Sequence, residues 1–269
     1  MERKVNTPEF LATHPVFSID EAVRALAPPG GRVGTIERLK HHLKKRRLKL
    51  ATRGVYAVVP PGTPADRFQP DPILVAAAAR PDAVFSHHCA LELLGAAHSV
   101  LNNCTVYTEL RRRPIHLNGA TIRFLDRPGP LGTVNRIHLG TRRIERRGRL
   151  LEVTGPERTL IEGFRKPALA GGLEELVNSA SGFSILDLDL LEEVLRAYGI
   201  ANLWAASGWF LERFQKTFHV PRDVLGRMEK HRPRSPQYLE RNRRGGVLVP
   251  RWKLILPKSI AHPGEPDER

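Results

Sequence analysis

The 269-residue sequence predicts an α+β protein with a small basic N-terminal part, residues 1–62, and a larger mixed part, residues 63–269. Three observations carry that prediction. The first sixty residues read as helix, break, basic helix and hairpin. The stretch "PPGTPADRFQPDP", Pro60 to Pro72, then places five prolines in thirteen residues, which no helix or central strand accommodates. Beyond it, strand-like segments precede helix-like ones without βαβ alternation, the order of an α+β chain.

In the first part, "FSIDEAVRALA" offers Ser18 as an N-cap, with Asp20 and Glu21 in the first turn, where negative charge suits the helix dipole. Ile19, Val23 and Leu26 recur at helical spacing. "APPGGR" breaks the chain, and a second helix is expected to begin near Val33 or Thr35, with Ile36, Leu39 and Leu43 as its inner stripe. Its outer face is read as Arg38, His41, His42 and Lys45. "LKLATRGVYAVV" then alternates around "TRG" as a compact hairpin with Arg53 at its tip. This is the order of a winged helix-turn-helix. A helix of that size fits the major groove, and its cations can neutralise phosphates. The competing reading is a solvated basic helix that caps a small domain.

Charge distribution favours a polyanionic partner. The net charge is +15 and it is blocked: +7 over 1–62, −3 over 63–110, +9 over 111–149, −5 over 150–200 and +7 over 201–269. The central block holds Arg111, Arg112 and Arg113 in "ELRRRP", and Arg142, Arg143, Arg146, Arg147 and Arg149 in "GTRRIERRGR". These segments read as strand ends or loops. They are either a second patch for DNA or RNA, or an exposed surface paired in part with the acidic block that follows.

In the larger part, "DPILVAAAARP" predicts a helix, and "AVFSHHCALELLGA" a short strand running into a helix capped at Ser86. "CTVYTEL", "IHLNGATIRFL", "VNRIHLG" and "LLEV" read as strands. "GPERTLIEGFRKPALAGGLEELVNSA" gives two helices split by "KPALAGG". "LDLDLLEEVLRAYG", "LWAASGWFLERFQ" and "PRDVLGRMEKH" give three more, and "GVLVPRWKLILPKSI" is strand-like.

Other chemistry finds little support. "SHHC" has neither zinc-site spacing nor a visible base–orienter pair, so neither a metal nor a nucleophile is expected there. Glu152 is followed by Val and Thr where a magnesium nuclease wants Glu-x-Lys, and Asp187 and Asp189 lie in an apolar helical pattern. Phosphate-loop, dinucleotide, zinc-protease and serine-elbow motifs do not occur. The two cysteines, Cys89 and Cys104, make no disulfide framework. No apolar run reaches ~20 residues, and the start "MERKVNTPEFLATHP" lacks a signal-type core. The expectation is a cytoplasmic protein that is not an enzyme, needs no cofactor and has no membrane partner. The alternative is a nucleic-acid-processing enzyme, a nuclease or RNA-modifying factor, using the central arginines.

Taken in order, "FSIDEAVRAL…TIERLKHHLKKRRLKLATRGVYAVVP", "DPILVAAAARPDAVFSHHCALELLGA", "VTGPERTLIEGFRKPALAGGLEELVNSA" and "VPRWKLILPKS" resemble the AbiEi antitoxins of abortive-infection systems, over about residues 16–258. The resemblance implies the antitoxin of a type IV toxin–antitoxin pair. It implies a winged helix that binds inverted repeats in its own promoter and represses the operon, with Thr35, Arg38, His41, His42, Lys45 and wing residue Arg53 on the DNA side. It also implies a C-terminal domain that counters a nucleotidyltransferase toxin without a stable complex.

Overall fold

The computed structural model describes residues 6–109, 113–132, 136–240 and 245–261. The chain divides into two compact units: residues 1–84, 102–126 and 143–152, and residues 85–101, 127–142 and 153–269. The break after residue 62 is therefore not where the units part.

The first unit opens with α1 (Thr7–Thr13), β1 (Val16–Ser18), α2 (Ile19–Leu26), α3 (Gly31–Lys44), β2 (Leu48–Thr52) and β3 (Val55–Val58). The three strands form an antiparallel sheet in the order β1-β3-β2, with Phe17 opposite Tyr56 and Leu50 opposite Tyr56 on the other side. Ser18 caps α2 as expected. Its Oγ accepts from Glu21 N–H at 3.2 Å while Glu21 Oε2 accepts from Ser18 N–H at 2.7 Å, a reciprocal capping box. Phe10, Phe17, Ile19, Ala22, Leu26, Leu39 and Leu48 close the core over this sheet.

Helix α3 starts two to four residues earlier than the hydrophobic pattern indicates, because "PPGG" folds over its first turn. A Cβ on Gly34 would fall 2.3 Å from the Pro29 carbonyl oxygen, so only glycine lets the break lie this close. After the hairpin, the proline-rich stretch is irregular, as predicted, but it is held: Lys49 Nζ donates to the Phe68 carbonyl at 2.6 Å. It leads into α4 (Pro72–Ala79), which packs back on β1 and β3 and so joins this segment to the first unit.

Most residues of a six-stranded sheet also lie in this unit. Its strands are β4 (Val84–Ser86), β5 (Asn103–Thr108), β6 (Ile115–Leu117), β7 (Ala120–Asp126), β8 (Thr141–Arg146) and β9 (Arg149–Thr154), in the order β6-β7-β5-β4-β9-β8. β5 and β7 run parallel, with Val106 opposite Phe124. "IHLNGATIRFL" is two strands rather than one, because Asn118-Gly119 turns the chain, Gly119 at φ +82°.

The second unit is mainly helical: α5 (His88–Leu93), α6 (Pro156–Arg165), α7 (Leu173–Ser181), α8 (Leu188–Tyr198), α9 (Ala201–Arg213), α10 (Arg222–Glu229) and α11 (Lys258–Ala261). A small sheet, β10 (Gln237–Tyr238), β11 (Val247–Val249) and β12 (Leu254–Leu256), runs in the order β10-β12-β11. The strand expected at "VNRIHLG" does not form over residues 136–140, which turn instead. There the carbonyl of Leu139 accepts from Arg158 Nη1 at 3.0 Å. Arg158 and Glu162, one turn apart on α6, are buried and joined at 2.8 Å, and Tyr198 O–H donates to the same Glu162 oxygen at 2.7 Å. Burial, then the Glu162 charge, pushes the Tyr198 hydroxyl far above its ordinary pKa, so it stays a donor. The charged residues of "GPERTLIEG" are thus internal struts. Among the described residues no helix is long and apolar enough to cross a membrane.

The tightest joint in this unit is α9 against Trp252. A Cβ on Gly208 would stand 2.2 Å from the indole ring, which is fully buried and donates from Nε1 to Glu212 at 2.6 Å. Gly208→Ala must displace that ring. We expect it to cost about 1–3 kcal/mol by denaturant titration, against the usual gain from alanine at an exposed helical glycine.

Candidate nucleic-acid interface

The side that α3 turns to solvent follows from what it buries. Thr35 and Leu39 are fully buried, and Ile36, His42 and Leu43 are half-buried. At 3.6 residues per turn the opposite side is then centred on Val33, Glu37, Lys40, His41 and Lys44, all exposed. The outer face read from the sequence is therefore displaced by about one residue. Thr35 does not belong to it: its hydroxyl donates to the Gly31 carbonyl at 3.0 Å inside the core. Arg38 and Lys45 are exposed but on the flank, and His41 lies near the centre. His42 turns partly inward. Burial, then the neighbouring charges of His41, Arg47 and Lys45, lowers its pKa, which favours the neutral ring over a phosphate-binding cation. Arg53 is exposed at the hairpin tip, as expected.

Val33, Lys40 and Lys44, which the sequence reading passed over, are the larger part of the outward surface; Val33 is 70% exposed. Thr35, which the resemblance implied for the DNA side, is held in the core by its side-chain bond to the preceding turn, a contact that hydropathy does not register.

The second arginine group splits. Arg111 and Arg112 lie outside the described residues; Arg113 is exposed. Arg142 belongs to the second unit, where its guanidinium stands 3.6 Å from the buried Glu157. Arg146 is not a free surface cation: its Nε donates to Asp71 Oδ2 at 2.8 Å, and Asp71 in turn caps α4 through the Ile73 N–H. Arg149 pairs with Glu21, the capping-box carboxylate of α2. Arg143 and Arg147 are exposed. The β8–β9 hairpin thus grips two helix starts with Arg146 and Arg149 and leaves Arg142, Arg143 and Arg147 exposed. Around its tip is a cleft of about 600 Å³ lined by His14, Val16, Glu21, Leu74, Arg147 and Arg149, among others.

The "SHHC" segment is internal. Ser86 belongs to β4, and the helix cap expected there falls on His87, whose φ of +54° and ψ of −132° make the sharp strand-to-helix turn. His87 is completely buried, and burial lowers its pKa to about 4. His88 lies 3.5 Å from Glu175. Burial pushes the Glu175 carboxyl up, but hydrogen bonds from the Ser99 and Ser179 hydroxyls and the Ser99 N–H outweigh it and hold the group at about 2. Asp187, weighed above as a nuclease carboxylate, caps α8 through the Leu190 N–H.

Arg149→Ala leaves one Glu21 oxygen without its charged donor and should destabilise the chain by about 1–3 kcal/mol in denaturant titrations. Glu21→Gln combined with it should add less than the sum of the two single changes, because they share one contact. For His87, the unfolded chain binds its proton at about 6.5 and the folded chain only near 4. The stability present above pH 6.5 is therefore lost as pH falls from 6.5 towards 4, by on the order of 3 kcal/mol. His87→Asn, which cannot take up that proton, should flatten this part of a stability–pH curve.

No family model matches the chain, and no curated protein matches it. The fold is similar to the crystal structure of the Rv2827c protein from Mycobacterium tuberculosis, with a TM-score of 0.58 and 17% identity, covering 91% of this chain and 88% of that one. The likeness extends over nearly the whole length of both chains, and it establishes a shared α+β fold.

Proposed function

We propose that this chain is a sequence-specific DNA-binding repressor of the AbiEi antitoxin type. It acts in the cytoplasm on inverted repeats in its own promoter and counters a nucleotidyltransferase toxin without forming a stable complex with it. The observation that carries the DNA-binding reading is the order of elements in residues 7–58. Helix, strand, helix, helix, strand, strand, with the sheet ordered β1-β3-β2, is the order of a winged helix-turn-helix, and its third helix turns Lys40 and Lys44 to solvent with Arg38 and Lys45 on the flank. The antitoxin part rests on the ordered sequence resemblance.

In this reading α3 enters the major groove and α2 crosses the backbone beside it. Lys44 and Lys45 at the C-terminal end of α3, Arg38 on its flank and Arg53 on the wing neutralise phosphates and release counterions. Association is thus fast and salt-sensitive, and it becomes selective only where base edges match the outward face. No catalytic step is part of the mechanism.

The test is a titration of the full chain against its upstream promoter duplex and a scrambled duplex of equal length, at two salt concentrations. The promoter should bind at least 10³-fold more tightly, the low end of specific recognition. Lys45→Ala should weaken binding to both duplexes and lower the salt slope by about one. Equal affinity for both duplexes would remove the repressor reading.

A further inference from the structure

Helix α3 contains one acidic residue, Glu37, among Arg32, Arg38, Lys40 and Lys44. The structure puts it at the middle of the outward side, in line with Val33 one turn before and His41 one turn after. Among the described residues its bonded partner is Lys40, whose Nζ stands 2.7 Å away, and both side chains are 62% exposed. An exposed pair of this kind contributes between nothing and ~1 kcal/mol, so helix stability does not account for the position. Against a phosphate backbone a carboxylate there is repulsive. It is useful to a DNA-binding surface only where it meets a donor on the nucleic acid.

In the major groove the exocyclic amino groups of cytosine and adenine are the donors, and the side-chain pairing for a carboxylate is cytosine N4. Val33 has a complementary use. It is a large aliphatic side chain 70% exposed at the start of the same helix, and the thymine methyl is the apolar feature of that groove. Val33 and Glu37 are about 6 Å apart along the helix axis, close to two base-pair steps of ~3.4 Å.

Building on the DNA-binding reading above, we propose that Glu37 is the specificity-determining residue of α3, accepting a hydrogen bond from the N4 amino group of one cytosine in each half-site, while Val33 packs on a thymine methyl about two base pairs away. Lys40 holds the carboxylate against the helix before binding. The surrounding lysines and arginines supply affinity for any duplex, and Glu37 withdraws it from sequences that offer no donor.

The experiment is selection of the full chain on a pool of duplexes with a randomised centre, followed by titration of the selected duplex and single-base variants. The wild type should select a cytosine whose replacement costs about 10-fold or more in Kd. Glu37→Gln should move the preference at that position to adenine, since an amide pairs with adenine N6 and N7. Glu37→Ala should erase the preference there while binding a scrambled duplex more tightly than the wild type does, because a repulsive charge is gone. Val33→Ala should relax the thymine position alone. If both Glu37 variants select the wild-type motif with unchanged discrimination, the assignment is overturned while DNA recognition stands. If the wild type selects no motif, the repressor reading itself falls and this assignment with it.

Discussion

The Glu21 carboxylate has two oxygens, and each organises a different range of the chain. One closes the capping box with Ser18, which fixes where β1 ends and α2 begins. The other takes Arg149 from a hairpin 128 residues further on. The first contact is local and forms with the helix. The second has to await the rest of the first unit, and it secures α2 to the β8–β9 hairpin. Asp71 repeats the device on a second helix, capping α4 while it accepts from Arg146. A helix start is a good anchor for this purpose. The dipole and the free N–H groups already favour a carboxylate there, and an arginine can then share that carboxylate without displacing the cap.

That arrangement shows why the charge blocks of the sequence resolve only in part into exposed surface. The arginines of "RRIERRGR" look alike in composition, but alternation along β8 and the turn into β9 send them to different fates. Arg146 and Arg149 meet carboxylates of the first unit, and Arg142 lies near Glu157 in the second. Arg143 and Arg147 stay in solvent. Nothing in a single sequence pairs residue 149 with residue 21, so structural and surface arginines could not be sorted in advance.

Local chemistry was legible where the determinants are local. Ser18 with Glu21 gave the start of α2, the prolines of 60–72 gave an irregular stretch, and the turn at Arg53-Gly54 gave the hairpin of β2 and β3. Readings failed where a non-local contact overruled the pattern. Residues 136–140 carry strand-like composition but turn, with the Ile137 and Leu139 carbonyls given to Arg158. Pro60–Pro72 is a break in regular structure without being a break between units, because α4 returns to β1 and β3. The candidate site was legible as a helix and misjudged as a face. Leu39 was assigned inward correctly, but Thr35, which the family resemblance placed on the DNA side, is in the core. The outer strip was drawn through Arg38, His42 and Lys45 where Val33, Glu37, Lys40 and Lys44 are the outward residues.

That displacement changes what kind of surface α3 presents. The face read from the sequence was a strip of cations and histidines, suited to phosphates and indifferent to base order. The face the core leaves exposed places an aliphatic group and a carboxylate at its centre, with Arg38 and Lys45 at the side. A purely cationic helix gains affinity everywhere along a duplex, and its competitors are all other sites. Mixing in groups that phosphate does not welcome lowers the general affinity and leaves a matched sequence as the better option. The burial of Thr35 beside Leu39, a feature of folding, thus sets which residues α3 turns to solvent: Val33 and Glu37 at the centre and Arg38 and Lys45 at the side.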